Sequence, residues 1–236
     1  MAVNRRDLLR LGTGTVLGAG LFGGWIGSSA RAADTSGGQP TAEQALQALL
    51  DGNKRFVAGQ PMYPDQSLPR RQQIASGQMP PVAVLCCIDS RVPPELVFDQ
   101  GLGTLFVARV AGNIVDDALL GSIEYGIVHY QIPLLVVLGH QSCGAVIATV
   151  DALTMGTEAE GHIGVLADAI MPPAVLAQSQ PGDLVDNTVR ANIKQSAAQL
   201  RSSEPILAEE IHAGHLKVAG IYYSLDTGAV EVIDPM

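Results

Sequence analysis

The chain has 236 residues, of which 47% are hydrophobic and 16% charged, and its formal net charge is -9 at pH 7. This composition fits one globular domain and excludes disorder, collagen and coiled coil: apolar content is high, the 26 glycines have no three-residue period, and charges are too few for heptad edges. The acidic balance excludes nucleic acid and anionic membrane surfaces as partners, and an aromatic content of 4% provides no stacking platform for single strands.

The N-terminal segment begins with the paired arginines Arg5 and Arg6. A weakly apolar run follows over residues 11–26, and a small-x-small sequence ends at Ala32. Residues 1–32 therefore resemble a twin-arginine export signal with its cleavage site. An uncleaved membrane anchor is the alternative, but a run of 16 residues with six glycines is short and poorly apolar for crossing a bilayer. We therefore expect removal of this segment, no stable membrane insertion afterwards, and an exported protein in the bacterial periplasm or secreted.

The cysteines are odd in number: Cys86, Cys87 and Cys143. Exported domains often use an even number of cysteines as disulfides, so a disulfide framework is not expected here. Metal ligation by thiolates explains their presence. The twin-arginine route carries folded proteins, so the metal can be inserted before export.

Residues 33–40 are predicted to be a polar linker, and residues 41–236 a single domain in which helices and strands alternate. Thr41 begins the first helix with a capping box, and an irregular loop follows over residues 61–69. Continuous apolar runs predict buried parallel strands over residues 82–88, 104–110 and 134–138.

Further helices are predicted over residues 116–130, from Cys143 onward, and through most of 163–207, with breaks at Pro172-Pro173 and Pro181-Gly182. The turn sequence at residues 226–228, between strand-like runs at 217–223 and 230–233, predicts a hairpin. The alternation predicts an α/β fold with a mainly parallel central sheet covered by helices and a C-terminal antiparallel edge hairpin.

Two motifs at predicted strand ends carry the chemistry, Cys87–Arg91 and His140–Gly144. Loops beyond the carboxyl ends of parallel strands converge on one crevice, so the two motifs can meet. Cys87, His140 and Cys143 offer soft sulfur and borderline nitrogen, a set that suits one tetrahedral Zn²⁺ per chain. Three protein ligands leave a fourth position for water, which is typical of a catalytic site.

Asp89 is the ambiguous member of the first motif. Its carboxylate could complete the metal shell or accept a hydrogen bond from metal-bound water. A bidentate pair with Arg91 would hold the carboxylate off the metal, whereas loss of that pair would free it to ligate and close the site. Cys143 is expected at a helix N-terminus, where the helix dipole favours thiolate.

The other candidate ligands are interpreted as structural. Cys86 is expected to be a buried apolar residue facing the opposite side of the strand from Cys87. The same structural interpretation applies to the remaining histidines, His129, His162, His212 and His215.

C-x-D-S-R at residues 87–91, followed by H-x-x-C at residues 140–143, resembles the β-class carbonic anhydrase family. Residues 107–113, 122–125 and 220–228 are similar to further family segments. The chain departs from the family at Val110, which replaces an asparagine. Val84 replaces the tryptophan of members that have an inhibitory bicarbonate pocket, which puts that regulation in doubt.

The resemblance implies reversible hydration of carbon dioxide to bicarbonate and a proton by attack of zinc-bound hydroxide. Asp89, oriented by Arg91, would help select the attacking lone pair. Gln78 matches a family position that reaches a neighbouring subunit's active site and would donate a hydrogen bond to substrate. The resemblance therefore also implies a homodimer or a larger even assembly.

Two other functions remain open from the sequence. The first is hydrolysis of carbon disulfide or carbonyl sulfide on the same scaffold, because the same activated water attacks any linear heterocumulene. The second is a non-catalytic exported zinc-binding protein. The presence of both Asp89 and Arg91, which metal storage does not require, argues against the second.

Overall fold

The computed structural model describes residues 38–236. Residues 1–37, which contain the predicted export signal and most of the predicted linker, lie outside the described residues, so both stay predictions. Within residues 38–236, no helix combines the length and the hydropathy that crossing a bilayer requires.

One five-stranded sheet organises the described residues, with the strand order β2-β1-β3-β4-β5. The strands are β1 (Val82–Cys86), β2 (Leu105–Arg109), β3 (Leu134–His140), β4 (Lys217–Tyr223) and β5 (Val230–Asp234). The first four are parallel to their neighbours, and β5 pairs antiparallel with β4. This topology confirms the predicted fold class and the C-terminal hairpin.

Helices cover both faces of this sheet. Those in the described part of the chain are α1 (Ala42–Val57), α2 (Leu68–Gln73), α3 (Pro94–Val97), α4 (Asp117–Tyr130), α5 (Gly144–Met155), α6 (Ile163–Ala177), α7 (Leu184–Arg201) and α8 (Ile206–His212). Helices α4 to α8 contribute to a core on one face, where Leu135 and Ile193 are fully buried. Helices α1 and α3 contribute to a core on the other face, around Leu49 and Val97. Burial of β1 and β3 on both faces explains their continuous apolar sequences.

Local signals account for most of the helix boundaries. The capping box predicted at Thr41 is present: its side chain accepts from the Gln44 backbone N–H, and the Gln44 side chain accepts from the Thr41 N–H. The predicted loop over residues 61–69 is wrong at its end, because the Ser67 side chain caps α2 and starts it at Leu68. The strand predicted over residues 82–88 ends at Cys86.

The break predicted at Pro172-Pro173 is wrong, because both prolines lie inside α6. Proline removes the hydrogen bond that its nitrogen would donate to the carbonyl four residues earlier. The Ala169 carbonyl, which Pro173 leaves free, accepts instead from Gln195 Nε2 of α7 at 3.1 Å. Packing against α7 therefore compensates the missing bond and lets the helix continue. The break predicted near Pro181-Gly182 is confirmed.

Strand β2 forms one edge of the sheet, because among residues 38–236 it pairs only with β1. All five of its residues are half-buried, in contrast to the fully buried β1. A groove of about 410 Å³ runs along this edge between β2 and α4. Phe106, Arg109 and Ser122 are among its lining residues.

Candidate metal centre

The sheet topology brings the two predicted motifs together. Strands β1 and β3 are parallel neighbours in which Cys86 lies beside Leu138, so Cys87 and His140 emerge at the same edge of the sheet. Cys143 follows three residues after His140 and is the N-cap residue of α5, as predicted. The ligand atoms of Cys87, His140 and Cys143 all lie within 4.8 Å of one another, and all three residues are buried.

The His140 imidazole is held in the tautomer that a metal requires. Its Nδ1 lies 2.9 Å from the backbone carbonyl of Gln141. A carbonyl oxygen can only accept, so Nδ1 carries the hydrogen and Nε2 has a free lone pair. Nε2 is buried and has no hydrogen-bond partner among the described residues. Such an unpaired buried atom costs about 1–3 kcal/mol, which indicates that it faces a ligand.

The two thiols form a close pair, with 3.9 Å between their sulfur atoms. The hydrogen bond from Cys143 lowers the pKa of Cys87 well below that of a free thiol, although burial opposes this shift. The same bond and burial raise the pKa of Cys143, so the prediction of a thiolate at Cys143 is wrong for the metal-free chain: these two effects outweigh the backbone N–H groups at the start of α5, which lower the pKa. The Gly112 N–H adds a further bond to Cys87 Sγ at 3.4 Å. These hydrogen bonds therefore favour the thiolate form of Cys87 over that of Cys143.

These donors fit zinc. Two sulfurs and one imidazole nitrogen form a soft and borderline set that binds Zn²⁺ tetrahedrally and leaves one position open. The unpaired Nε2 and the thiolate are the groups that such a cation would satisfy. In the part of the chain that the structure describes, this is the single cluster of three or more potential ligands.

Asp89 lies beside this cluster and is paired with Arg91. Its Oδ1 accepts from the Arg91 backbone N–H at 2.9 Å and from Arg91 Nε at 3.0 Å, while its Oδ2 accepts from Arg91 Nη2 at 2.7 Å. The bond from Arg91 lowers the pKa of Asp89 to about 2. Oδ2 lies 3.9 Å from His140 Nε2. The structure therefore has the arrangement in which Arg91 restrains the carboxylate, and Asp89 is not one of the three clustered ligands.

The remaining predicted residues lie away from the cluster. Gln78 is exposed and lies in the loop before β1, at the opposite end of that strand from Cys87. Cys86 is fully buried in the core on the opposite face from Cys87, as expected. Burial raises the pKa of its thiol to about 12.

The structure also identifies supporting residues that the sequence did not indicate as part of the site. Arg109 donates to the carbonyls of Cys87 at 2.8 Å and Asp89 at 2.7 Å, and so holds the loop that carries both side chains. Asn192 of α7 donates at 2.7 Å to the carbonyl of Gly112, whose N–H reaches Cys87. Arg109 lies in a segment similar to the family, whereas Asn192 gives no sequence signal.

Known proteins resemble this chain in both sequence and fold. The carbonic anhydrase family model matches residues 82–230. Carbonic anhydrase 2 of Mycobacterium tuberculosis is 40% identical over 190 residues, which cover 80% of this chain and 92% of that relative.

Two solved structures are similar to this chain in fold. The β-carbonic anhydrase CcaA has a TM-score of 0.62 at 25% identity, and the match covers 80% of this chain and 99% of that one. One of two tetrameric β-carbonic anhydrases from Sordaria macrospora has a TM-score of 0.63 at 22% identity, over 80% and 96% of the two chains. The chain therefore belongs to the carbonic anhydrase family and is an enzyme of its β class.

Proposed function

We propose that this enzyme hydrates carbon dioxide reversibly to bicarbonate and a proton, using one zinc ion held by Cys87, His140 and Cys143. The observation that carries the proposal is the buried, unpartnered Nε2 of His140 within 4.8 Å of the ligand atoms of both cysteines. The family assignment supplies the reaction, and the donor atoms supply the choice of metal.

The metal and the residues around it would have separate tasks. Zinc bound at this centre would supply the positive charge that lowers the pKa of a water molecule toward neutrality. Two thiolates neutralise more of that charge than neutral imidazoles would, so the protein must contribute more through orientation. Cys87 and Cys143 would therefore hold the metal, and their negative charge would leave a water there less acidic than three imidazole ligands would.

Asp89 provides that orientation. Its pKa of about 2 keeps it ionised at neutral pH, and an ionised carboxylate can only accept hydrogen bonds. It would accept a hydrogen bond from the reacting water and so direct the attacking lone pair at carbon dioxide. The bidentate bond from Arg91 holds the carboxylate in place for this task.

Stopped-flow measurement of carbon dioxide hydration by the zinc-loaded protein tests the proposal. We expect hydration and one zinc per chain for the wild type and for the control Cys86→Ala, and loss of both for Cys143→Ser. Full zinc occupancy of Cys143→Ser in dilute chelator would contradict the ligand assignment. Release of hydrogen sulfide from carbonyl sulfide, without carbon dioxide hydration, would favour a heterocumulene hydrolase instead.

We also propose that the enzyme is a homodimer or a larger even assembly, in which Gln78 reaches the neighbouring active site. The outer edge of β2, which has no partner strand within the described residues, and the groove beside it support this, because an unpaired strand edge is a template for pairing with another chain. Exposure of Gln78 in its own chain is consistent with contact to a partner. An active monomer in analytical ultracentrifugation would contradict the proposal.

The paired arginines of residues 1–32 support a third proposal, export by the twin-arginine pathway to the periplasm or beyond. Replacement of Arg5 and Arg6 by lysine should retain the precursor in the cytosol, with the unmodified chain as control. Normal export of that variant would refute the pathway.

A further inference from the structure

Gln141, between two of the clustered ligands, is tied to the C-terminal hairpin at three of its atoms. Its backbone N–H donates to the Tyr223 carbonyl at 2.9 Å. Its side-chain Oε1 accepts from Ser224 Oγ and from the Asp226 N–H, both at 3.2 Å. Its Nε2 donates to Asp226 Oδ2 at 2.6 Å. The turn between β4 and β5 therefore holds both the backbone and the side chain of this residue.

The fourth polar atom of Gln141 points to the cluster. Its carbonyl accepts from Nδ1 of His140 at 2.9 Å, and this bond sets both the tautomer and the plane of the imidazole. The next residue, Ser142, has a φ of 52°, a left-handed conformation that is strained for a non-glycine residue. A strained turn keeps its shape only where its surroundings hold it, and the hairpin provides those contacts.

We propose that Gln141 is a positioning residue for the zinc centre and that Asp226 acts through it. The Gln141–Asp226 bond fixes the direction of the Gln141 carbonyl, the carbonyl fixes the His140 ring, and the ring directs Nε2 toward the cysteine sulfurs. The inference rests on the proposed function for the identity of the metal, which is zinc. It does not depend on the reaction, carbon dioxide hydration.

The exposure of these residues allows a clean test. Gln141 is half-buried and Asp226 exposed, so changes there leave the buried cores intact. Supporting contacts around a metal site typically contribute about 10–100-fold in metal affinity. We therefore expect Gln141→Ala, Gln141→Glu and Asp226→Ala each to weaken zinc binding by about this factor, with little change in the melting temperature of the metal-free protein.

Exchanging the donor and the acceptor of the Gln141–Asp226 hydrogen bond distinguishes a positioning role of Gln141 from a general structural role. Gln141→Glu alone places two carboxylates against each other, whereas the double variant Gln141→Glu/Asp226→Asn restores one donor and one acceptor in the opposite direction. The double variant should recover most of the zinc affinity that the single variant loses. Gln100→Ala is a matched control. Gln100 is also half-buried, and its Nε2 donates to the carbonyl of Phe98, the C-cap residue of α3.

Two readouts should be made on the full chain: zinc affinity by competition with a chromogenic chelator, and the visible spectrum of the protein saturated with Co²⁺. Altered Co²⁺ bands in the single variants, with wild-type bands in the double variant and in Gln100→Ala, would support the inference. Unchanged affinity and spectra in Gln141→Ala would overturn it, as would failure of the double variant to recover. An inactive wild type that still shows the predicted metal-binding pattern would refute the proposed reaction alone.

Discussion

Asp99 is a buried carboxylate with φ of 45° at the C-terminal side of α3. Its oxygens accept from the backbone N–H groups of Met62 and Tyr63, both at 3.0 Å, and from Arg55 Nε at 2.6 Å. Burial alone would raise the pKa of this carboxyl, but these three donors outweigh burial and lower it from 3.8. Asp99 therefore holds the loop after α1 most strongly while it is ionised.

The direction of that shift sets a pH dependence. A carboxyl group whose pKa is lower in the folded state stabilises the fold above its unfolded pKa, and the contribution disappears as pH falls through the folded pKa. Asp99→Asn should lower the free energy of unfolding by about 1–3 kcal/mol at pH 7, and by progressively less as the pH falls below 3.8. Urea unfolding at several pH values measures this, with the exposed Glu158→Gln as control. A constant difference across the pH range would contradict it.

Arg91 lies on the exposed side of the Asp89 pair, and its removal should separate zinc binding from turnover. Arg91→Ala frees the carboxylate without removing a ligand, so we expect full zinc content and a loss of hydration of about 10–100-fold. Asp89→Asn should likewise keep zinc but lose the acceptor that orients water. Metal analysis beside stopped-flow rates checks both variants. Wild-type hydration activity in Arg91→Ala would contradict the proposal that Arg91 restrains Asp89 for the reaction.

Which residues of the site could be predicted from the sequence depended on their side-chain type. Cys87, His140 and Cys143 are rare ligand types at strand ends, so their grouping could be expected from the sequence. Gln141 is an ordinary polar residue in a turn, and its role depends on Asp226, which is 85 residues away along the chain. Contacts of that separation leave no local pattern.

At the scale of elements, α7 approaches the sheet closely at Ile193. A Cβ on Gly139 of β3 would lie 2.4 Å from Ile193 Cγ1, and a Cβ on Gly220 of β4 would lie 2.8 Å from its Cγ2. Two neighbouring strands therefore carry glycine where the same side chain packs. This close approach also lets Asn192 and Ser196 reach the carbonyls of Gly112 and Asn113 beside the metal centre.

Gly139→Ala tests this packing. The added methyl group cannot fit without a shift of α7, so we expect a decrease of about 1–3 kcal/mol in the free energy of unfolding. Gly121→Ala in α4 is the control, because a Cβ there meets nothing within 4 Å and replaces glycine by a better helix former. Urea denaturation measures both. Equal stability of the two variants would contradict the packing argument.

Periodicity predicted the order of the elements well, because buried strands and capped helices have local sequence signals. The hairpin of β4 and β5 and the cap at Thr41 are examples. The error at Pro172-Pro173 has a different origin, since the bond that keeps α6 continuous comes from Gln195 in another helix. Tertiary compensation of this kind cannot be read from the proline pair itself.

At the scale of the whole molecule, the metal centre joins the ends of β1 and β3 to the start of α5. A ligand that binds only the folded chain stabilises it by mass action, by about 4.1 kcal/mol at a free concentration 1,000 times the Kd. Zinc removal by a chelator should therefore lower the melting temperature, and added zinc should restore it. Calorimetry measures the shift, and Cys143→Ser should show little of it. Equal melting temperatures with and without zinc would contradict this.

The hydrogen bonds between Gln141 and the β4–β5 hairpin also bear on the order of events during synthesis of the chain. A ribosome synthesises the 85 residues between Gln141 and Asp226 in roughly 4–17 s, at about 5–20 residues per second. During that interval all three ligands have been made while the turn that orients His140 has not. A cation met by the growing chain therefore meets two loose thiols and an unfixed imidazole. The proposed role of Gln141 therefore predicts that selective metal binding follows docking of the hairpin and is a property of the finished fold rather than of the emerging chain.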